Sequence, residues 1–350
     1  MSWQPLVARF REKRRQRKAD REAARARERE LQDAIEHVVD EIDPRIRALG
    51  GYRKKLKPCV ERTLAYCSDL VTRIPGSVEV NSKSWGRDPM VKAFFSGAEE
   101  LRRVFSRSKE VRDFFDQHPA AGHCYALLSM ECSERTVLGM AMRGEVLKRD
   151  VKQTSVSFTD HRVVKPSLSE PELRKNLEQR AFDNLIGYAL ERITELVAAQ
   201  HSLQEKRHLL EMQLKVAHLK SKSLASLMGD EGNGTINTEA LREQEAHTGQ
   251  ALEQAHARLK TLDDYIDRIA EVLGNPQTHL RLHRISMRLN EMNIKLDEHS
   301  ADSGRVLELS EASLGEHLKR ILLIARFPRD DLLPKPDFLV EAPRRIPGHQ

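Results

Sequence analysis

Two long series of mainly apolar residues, spaced alternately three and four positions apart, constrain the fold of this chain most. The first series runs from Phe182 to Leu224 and the second from Leu241 to Leu273. This heptad spacing is typical of helices that pack side by side as a coiled coil. Because a break containing Gly and Asn separates the two series at 229–237, the sequence predicts a long antiparallel coiled-coil hairpin.

The predicted hairpin occupies 166–298, with its arms at 170–228 and 238–298 and its tip at 229–237. Its first arm begins at the capping sequence Ser169-Glu170-Pro171-Glu172. The predicted interface consists of the apolar seam residues Leu196, Leu203, Leu210, Leu214, Leu252, Leu259, Leu262, Ile266 and Ile269.

Matching the two seams in antiparallel register predicts that Leu203 lies opposite Leu262 and that Leu210 lies opposite Ala255. Gly274-Asn275-Pro276 interrupts the second arm. Residues 276–298 are therefore expected either to continue beside the first arm or to fold back as a third helix.

The rest of the chain predicts a helical head with a small antiparallel β-meander. Residues 45–165 show helical apolar spacing as far as Phe115, and then period-two alternation from about 121 to 165. Residues 299–327 are expected to complete the head, with 313–326 fitting a strand or a helix equally well. Pro-rich residues 328–350 predict an extended tail. The predicted fold class is thus mainly α, within the α+β class.

Residues 1–44 predict a basic N-terminal helix or arm. Residues 9–29 contain eleven Lys or Arg and four Asp or Glu, a net charge of +7 against +6 for the whole chain. The candidate polyanion-binding residues are Arg9, Arg11, Lys13, Arg14, Arg15, Arg17 and Lys18. Trp3, Leu6, Val7 and Phe10 share one helical face beside them and suit an anionic membrane interface. The same cations suit nucleic-acid phosphates, and a plain solvated or protein-binding helix is the third reading.

No cofactor is predicted, because no nucleotide loop, catalytic constellation or complete metal motif is present. His279 and His283 are four apart on a predicted helix and are weak candidates for a metal site, without an evident third ligand. Gly232-Asn233-Gly234 resembles the centre of an EF-hand calcium loop. However, Gly229 and Ala240 occupy the positions where that loop needs its first and twelfth ligands, so a flexible turn is the prediction.

These observations favour a non-enzymatic cytoplasmic scaffold or tether that acts through the hairpin, binding a protein partner or a second copy, with peripheral membrane attachment through its arm as one variant. The alternative is a nucleic-acid-binding accessory protein that uses 9–29, and the third reading is an enzyme with a site in the head. The apolar runs fall short of the roughly 20 residues of a membrane span, and no secretory signal is evident. The four cysteines are accordingly expected to be reduced.

Overall fold

The computed structural model describes residues 4–143, 146–228, 238–297, 303–315 and 318–334. Within these ranges it describes only the backbone of 4–17, 19, 23, 140–143, 146–149, 220–228 and 238. The chain divides into two compact units. Unit 1 comprises Met1–Leu64 and Asp183–Pro276, and unit 2 comprises Ala65–Phe182 and Gln277–Gln350.

The α-helices of the described residues are α1 (Gln4–Ile42), α2 (Tyr52–Thr72), α3 (Ser82–Trp85), α4 (Pro89–Phe94), α5 (Ala98–Arg107), α6 (Lys109–Gln117), α7 (Glu170–Met228), α8 (Thr238–Arg258), α9 (Leu262–Gly274) and α10 (Pro276–His279). The strands are β1 (Val78–Glu79), β2 (His123–Arg143), β3 (Val146–Ser167), β4 (Leu280–Leu289), β5 (Ile294–Lys295), β6 (Arg305–Leu314) and β7 (Leu318–Pro328). In the same described ranges, 3-10 helices occupy Pro44–Ala48 and Arg329–Asp331. The chain therefore has an α+β fold.

Unit 1 is helical, and its buried side chains come from each of its long helices. In the described part of α1, Leu31 is the first buried residue, and Ile35, Val38 and Val39 follow. Elsewhere in the unit, Arg62 of α2 donates a hydrogen bond to the carbonyl of Gly274, 2.9 Å away. The Thr63 hydroxyl donates to the carbonyl of Leu273. These two bonds satisfy carbonyls that the end of α9 leaves without intrahelical partners.

The predicted long coiled-coil hairpin is wrong. Its second arm is divided, because α8 ends at Arg258 and a new helix, α9, begins after Thr261, whose side chain accepts from the backbone N–H of Asp264 in a capping box. The predicted register also fails. Gln200 Nε2 donates to the carbonyl of Ala255 at 2.7 Å, where the prediction placed Leu210.

Both helical readings of 276–298 are also wrong, because most of this segment forms strands β4 and β5. The spacing of Leu282, Ile285 and Leu289 fits a helix, but β4 pairs over its full length with β6, from Leu280↔Leu314 to Leu289↔Arg305. A strand is selected here by a partner distant in the sequence, which local spacing does not reveal.

Unit 2 is built on a seven-stranded mixed sheet with the order β1-β7-β2-β3-β5-β4-β6. The β1–β7 pairing is parallel and the others are antiparallel. Strand β7 also pairs with β6, so six of the strands form a closed ring of pairings. In contrast to the small meander predicted at 121–165, this region forms the long strands β2 and β3. Residues 318–326, left open between strand and helix, lie in β7.

One side-chain cluster in the core of unit 2 joins α4, α5 and α6 to the sheet. Phe105 of α5 stacks on Phe327 of β7, with ring centroids 4.4 Å apart, and both side chains are fully buried. Phe94 of α4 meets Phe158 of β3 edge to face at 4.8 Å. Arg329 donates to the carbonyls of Phe115 and other residues at the end of α6, which fixes that helix against the C-terminal end of β7.

Candidate interaction surfaces

An exposed apolar stripe follows one side of α7 in unit 1. The α7 stripe consists of Leu209 (57% exposed), Met212 (51%), Val216 (49%) and Leu219 (68%). Their spacing of three, four and three residues places all four side chains on one helical face about 15 Å long. Sequence analysis missed this surface, although the same spacing was present as a second series beside the predicted seam. An apolar series on a second face of a helix was the available signal.

The opposite side of α7 is packed within unit 1. Leu210 and Ala217 are buried there at 6% and 3% exposure. At 3.6 residues per turn, this face lies roughly 130° around the helix axis from the α7 stripe. Arg207 lies 3.5 Å from Glu245 of α8, on the packed side. Helix α7 therefore carries two apolar faces, of which one is covered and one is exposed.

The nine residues of the predicted coiled-coil interface all lie within unit 1, but the structure does not join them into one continuous seam. Five are buried, namely Leu210, Leu252, Leu259, Ile266 and Ile269, whereas Leu196, Leu203, Leu214 and Leu262 are partly exposed. Ile266 and Ile269 belong to the separate helix α9.

Helix α1 presents the basic segment to solvent over the part whose side chains are described. Each described side chain from Lys18 to Glu30 is exposed, and burial begins at Leu31. Arg21, Arg25 and Arg29 follow one another at four-residue spacing and so share one face. The other candidate polyanion-binding side chains, Arg9, Arg11, Lys13, Arg14, Arg15 and Arg17, and the membrane candidates Trp3, Leu6, Val7 and Phe10, lie outside the described side chains. The predicted tip at 229–237 and most of the tail, 335–350, also lie outside the described residues.

The histidine pair on which a metal site was considered does not share a helix. His279 ends the short helix α10, whereas His283 lies in β4, exposed and paired with Glu311 of β6. Within the described residues, no group of three or more His, Cys, Asp or Glu side chains is placed to hold a metal ion. The cysteines are free thiols, and burial raises the pKa of Cys67 and of Cys124 to about 12.

A groove of about 450 Å³ opens in unit 2 beside α3, α4 and β3, lined by Trp85, Phe94, Phe158 and Met292 among others. Its polar groups are engaged by neighbours. The Trp85 indole N–H donates to the carbonyl of Phe95 at 2.9 Å. His161 lies next to these lining residues: it stacks on the Phe95 ring, its Nε2 lies 2.9 Å from the carbonyl of Phe94, and burial lowers its pKa. These bonds stabilise the fold, and the groove's lining combines apolar side chains with the polar side chains of Lys92, Glu100 and Glu291.

None of the helices within the described ranges combines the length and the apolar character that crossing a membrane requires. Comparison of the chain with protein-family models, with curated proteins and with solved structures finds no match.

Proposed function

We propose that this protein is a non-enzymatic scaffold or tether whose protein-binding surface is the α7 stripe. One observation carries the proposal: four apolar side chains in heptad spacing are each about half exposed or more. Single exposed apolar residues are ordinary on protein surfaces, but a contiguous row on one helical face is typical of a docking site. An amphipathic helix that docks in a groove of a partner protein contacts it through the same kind of row, with apolar side chains three and four residues apart.

The energetics support a reversible contact. Full burial of a Leu, Val or Met side chain is worth about 1.5–3 kcal/mol, so covering the exposed halves of the α7 stripe contributes about 4 kcal/mol. Association itself costs at least about 4 kcal/mol in lost rotational and translational freedom. The apolar contact therefore offsets only the lower end of this cost, and the contacts around the stripe must supply the net affinity.

A photo-crosslinking residue placed at Met212 in cells tests the proposal. We expect it to form an adduct with another polypeptide, whereas the same residue at Gln254, an exposed polar position on α8, gives none. The double substitution Leu209→Ser with Leu219→Ser should abolish the adduct without changing the melting temperature, because both side chains are exposed. Identical adducts at both positions, or no adduct at 212, would contradict a docking surface. A large fall in melting temperature would show that the stripe is a structural contact.

The second candidate function is polyanion binding through α1. It is supported by the exposure of every described side chain between Lys18 and Glu30, on a helix whose segment 9–29 carries a net charge of +7. Deletion of residues 1–30 should abolish binding to duplex DNA and to anionic vesicles, and hydrogen exchange in unit 2 should be unchanged. Steep weakening of DNA binding by salt indicates nucleic acid. Weakening of vesicle binding by Trp3→Ala with Phe10→Ala indicates a membrane. Binding retained after deletion would contradict a role for α1.

A further inference from the structure

We infer that the α7 stripe accepts an acidic amphipathic helix from another protein. This inference rests on the proposed scaffold function and adds the chemistry of its partner. The width of the stripe supports a helix as the occupant. At 100° per residue its four side chains span roughly 80° of the helix surface, the narrow seam of a coiled-coil contact. A helix that packs on the core of a globular protein usually presents a wider apolar face, of at least about 100°.

The side chains that border the stripe give it a positive rim. In the heptad that the stripe defines, Lys206 and Lys215 occupy flanking positions on opposite sides, and both are exposed. The other described flanking residues, His208 and Gln213, carry no negative charge. These flanking positions are where the charges of a partner helix select it. A partner with glutamate or aspartate at its own flanking positions meets lysine on both sides.

Two nearby carboxylates do not change the sign of this rim. Glu211 lies off the stripe and is 3.2 Å from Arg207, one turn earlier on the packed side of α7. Glu205 continues the line of the stripe toward the N-terminal end of the helix, in a position where another apolar residue would lengthen it. It therefore limits the apolar surface to the four residues and leaves Lys206 and Lys215 as the flanking charges.

A second copy of α7 suits this surface poorly. Pairing two identical stripes in either direction brings lysine-bearing flanks together, and like charges across a helical seam are destabilising. The stripe also covers only about one and a half heptads, whereas self-associating coiled coils usually need three or four. An acidic helix removes the repulsion and supplies the affinity that the apolar area does not.

Two designed peptides of three heptads provide the test. They carry the same leucine seam and differ at the flanking positions, which are glutamate in one and lysine in the matched control. At low salt, fluorescence anisotropy with the full-length protein should show binding of the glutamate peptide about tenfold tighter than binding of the lysine peptide. Added salt should narrow this difference, because both flanks are exposed.

Variants of the protein complete the test. Lys206→Glu with Lys215→Glu should reverse the preference between the peptides, whereas Lys175→Glu, an exposed lysine elsewhere on α7, should leave it unchanged. The double substitution Leu209→Ser with Leu219→Ser should weaken the binding of both peptides about tenfold or more. Failure to bind either peptide, equal binding of both, or preference for the lysine peptide would overturn the inference.

The other possible occupants give distinct results. A concentration-dependent dimer that disappears in the double serine variant would overturn the inference in favour of a second copy. Anionic-vesicle binding that disappears in the same variant would overturn it in favour of a membrane. If photo-crosslinks at 212 persist while the peptides show no charge preference, the scaffold function stands and the acidic partner is refuted. Absence of those crosslinks refutes the scaffold function itself.

Discussion

Replacement of Phe105 by alanine tests whether helix α5 and strand β7 of unit 2 share one continuous core. Phe105 and Phe327 are both fully buried, and their rings stack at a centroid distance of 4.4 Å with an interplanar angle of 8°. Truncating a buried phenylalanine usually costs 3–5 kcal/mol, from lost apolar burial and from the cavity that remains. Complete burial and the stacked partner favour the middle of that range, so we expect a loss of about 4 kcal/mol.

Hydrogen exchange is the suitable assay, because a melting curve of a chain with two units mixes their transitions. The reporters are the amides of the β2–β7 pairing, from His123↔Pro328 to Met130↔Ile321. If these amides exchange through opening of unit 2, a loss of about 4 kcal/mol lowers their protection roughly a thousandfold.

Two controls separate loss of the core from a general perturbation. Phe105→Leu keeps most of the volume and should cost no more than about 1.5 kcal/mol. Leu138→Ala, on the part of β2 beyond its pairing with β7, removes a side chain that is 68% exposed and should change protection little. A change of less than about fivefold for Phe105→Ala, equivalent to roughly 1 kcal/mol, would refute a continuous core between α5 and β7.

Three further predictions follow from individual contacts. Thr261→Ala removes the N-cap of α9 and should destabilise that helix by about 1 kcal/mol. Hydrogen exchange of the α9 amides should then be about fivefold faster, and unchanged exchange would show that the cap is not formed. Burial raises the pKa of Cys67 and Cys124 from 9.0 to about 12, so iodoacetamide at pH 8 should label both thiols far more slowly in the folded than in the unfolded chain. The contribution of these two thiols to the stability of the folded state should be lost as pH rises above about 9. Equal labelling rates would contradict their burial. A hydrogen bond from Arg320 lowers the pKa of Asp160. The stabilising effect of the ionised Asp160 is therefore present above its unfolded-state pKa and is lost as pH falls through its folded-state pKa. Asp160→Asn should make the fall in stability at acid pH less steep than in the unmodified protein, and equal slopes would contradict the pairing.

Local sequence signals mark the start of α7 and the end of α1, whereas the end of α8 at Arg258 was not predicted. Helix α7 begins at Glu170, and the backbone N–H of Glu172 donates to the Ser169 hydroxyl as the capping sequence predicts. Helix α1 ends at Ile42, before Asp43 and Pro44 begin a 3-10 turn. Such ends depend on the conformational preferences and hydrogen bonds of a few adjacent residues, and these are visible in the sequence.

The errors arose where distant residues decide the structure. Residues 280–289 satisfy a helical spacing but become a strand because β6 pairs with them throughout. The heptad series correctly indicated helices, whereas their register depended on contacts such as that of Gln200 with Ala255, which two periodic patterns do not determine. The α7 stripe was overlooked for a related reason. Periodicity shows that a helix has two apolar faces, and only the packed structure shows which one is covered.

The closed ring of strand pairings in unit 2 has a consequence for the folding of the chain during its synthesis. Strand β2 pairs at 123–130 with residues 321–328 of β7, nearly two hundred positions later, and helices α7, α8 and α9 are made between them. At translation rates of about 5–20 residues per second, roughly 10–40 s pass between the synthesis of β2 and the synthesis of its partner strand β7. During that interval the backbone groups of β2 and the apolar residues beneath them are available to other chains. Rapid synthesis of the C-terminal strands, or a chaperone bound to β2 until they emerge, would therefore govern how much of the protein escapes aggregation.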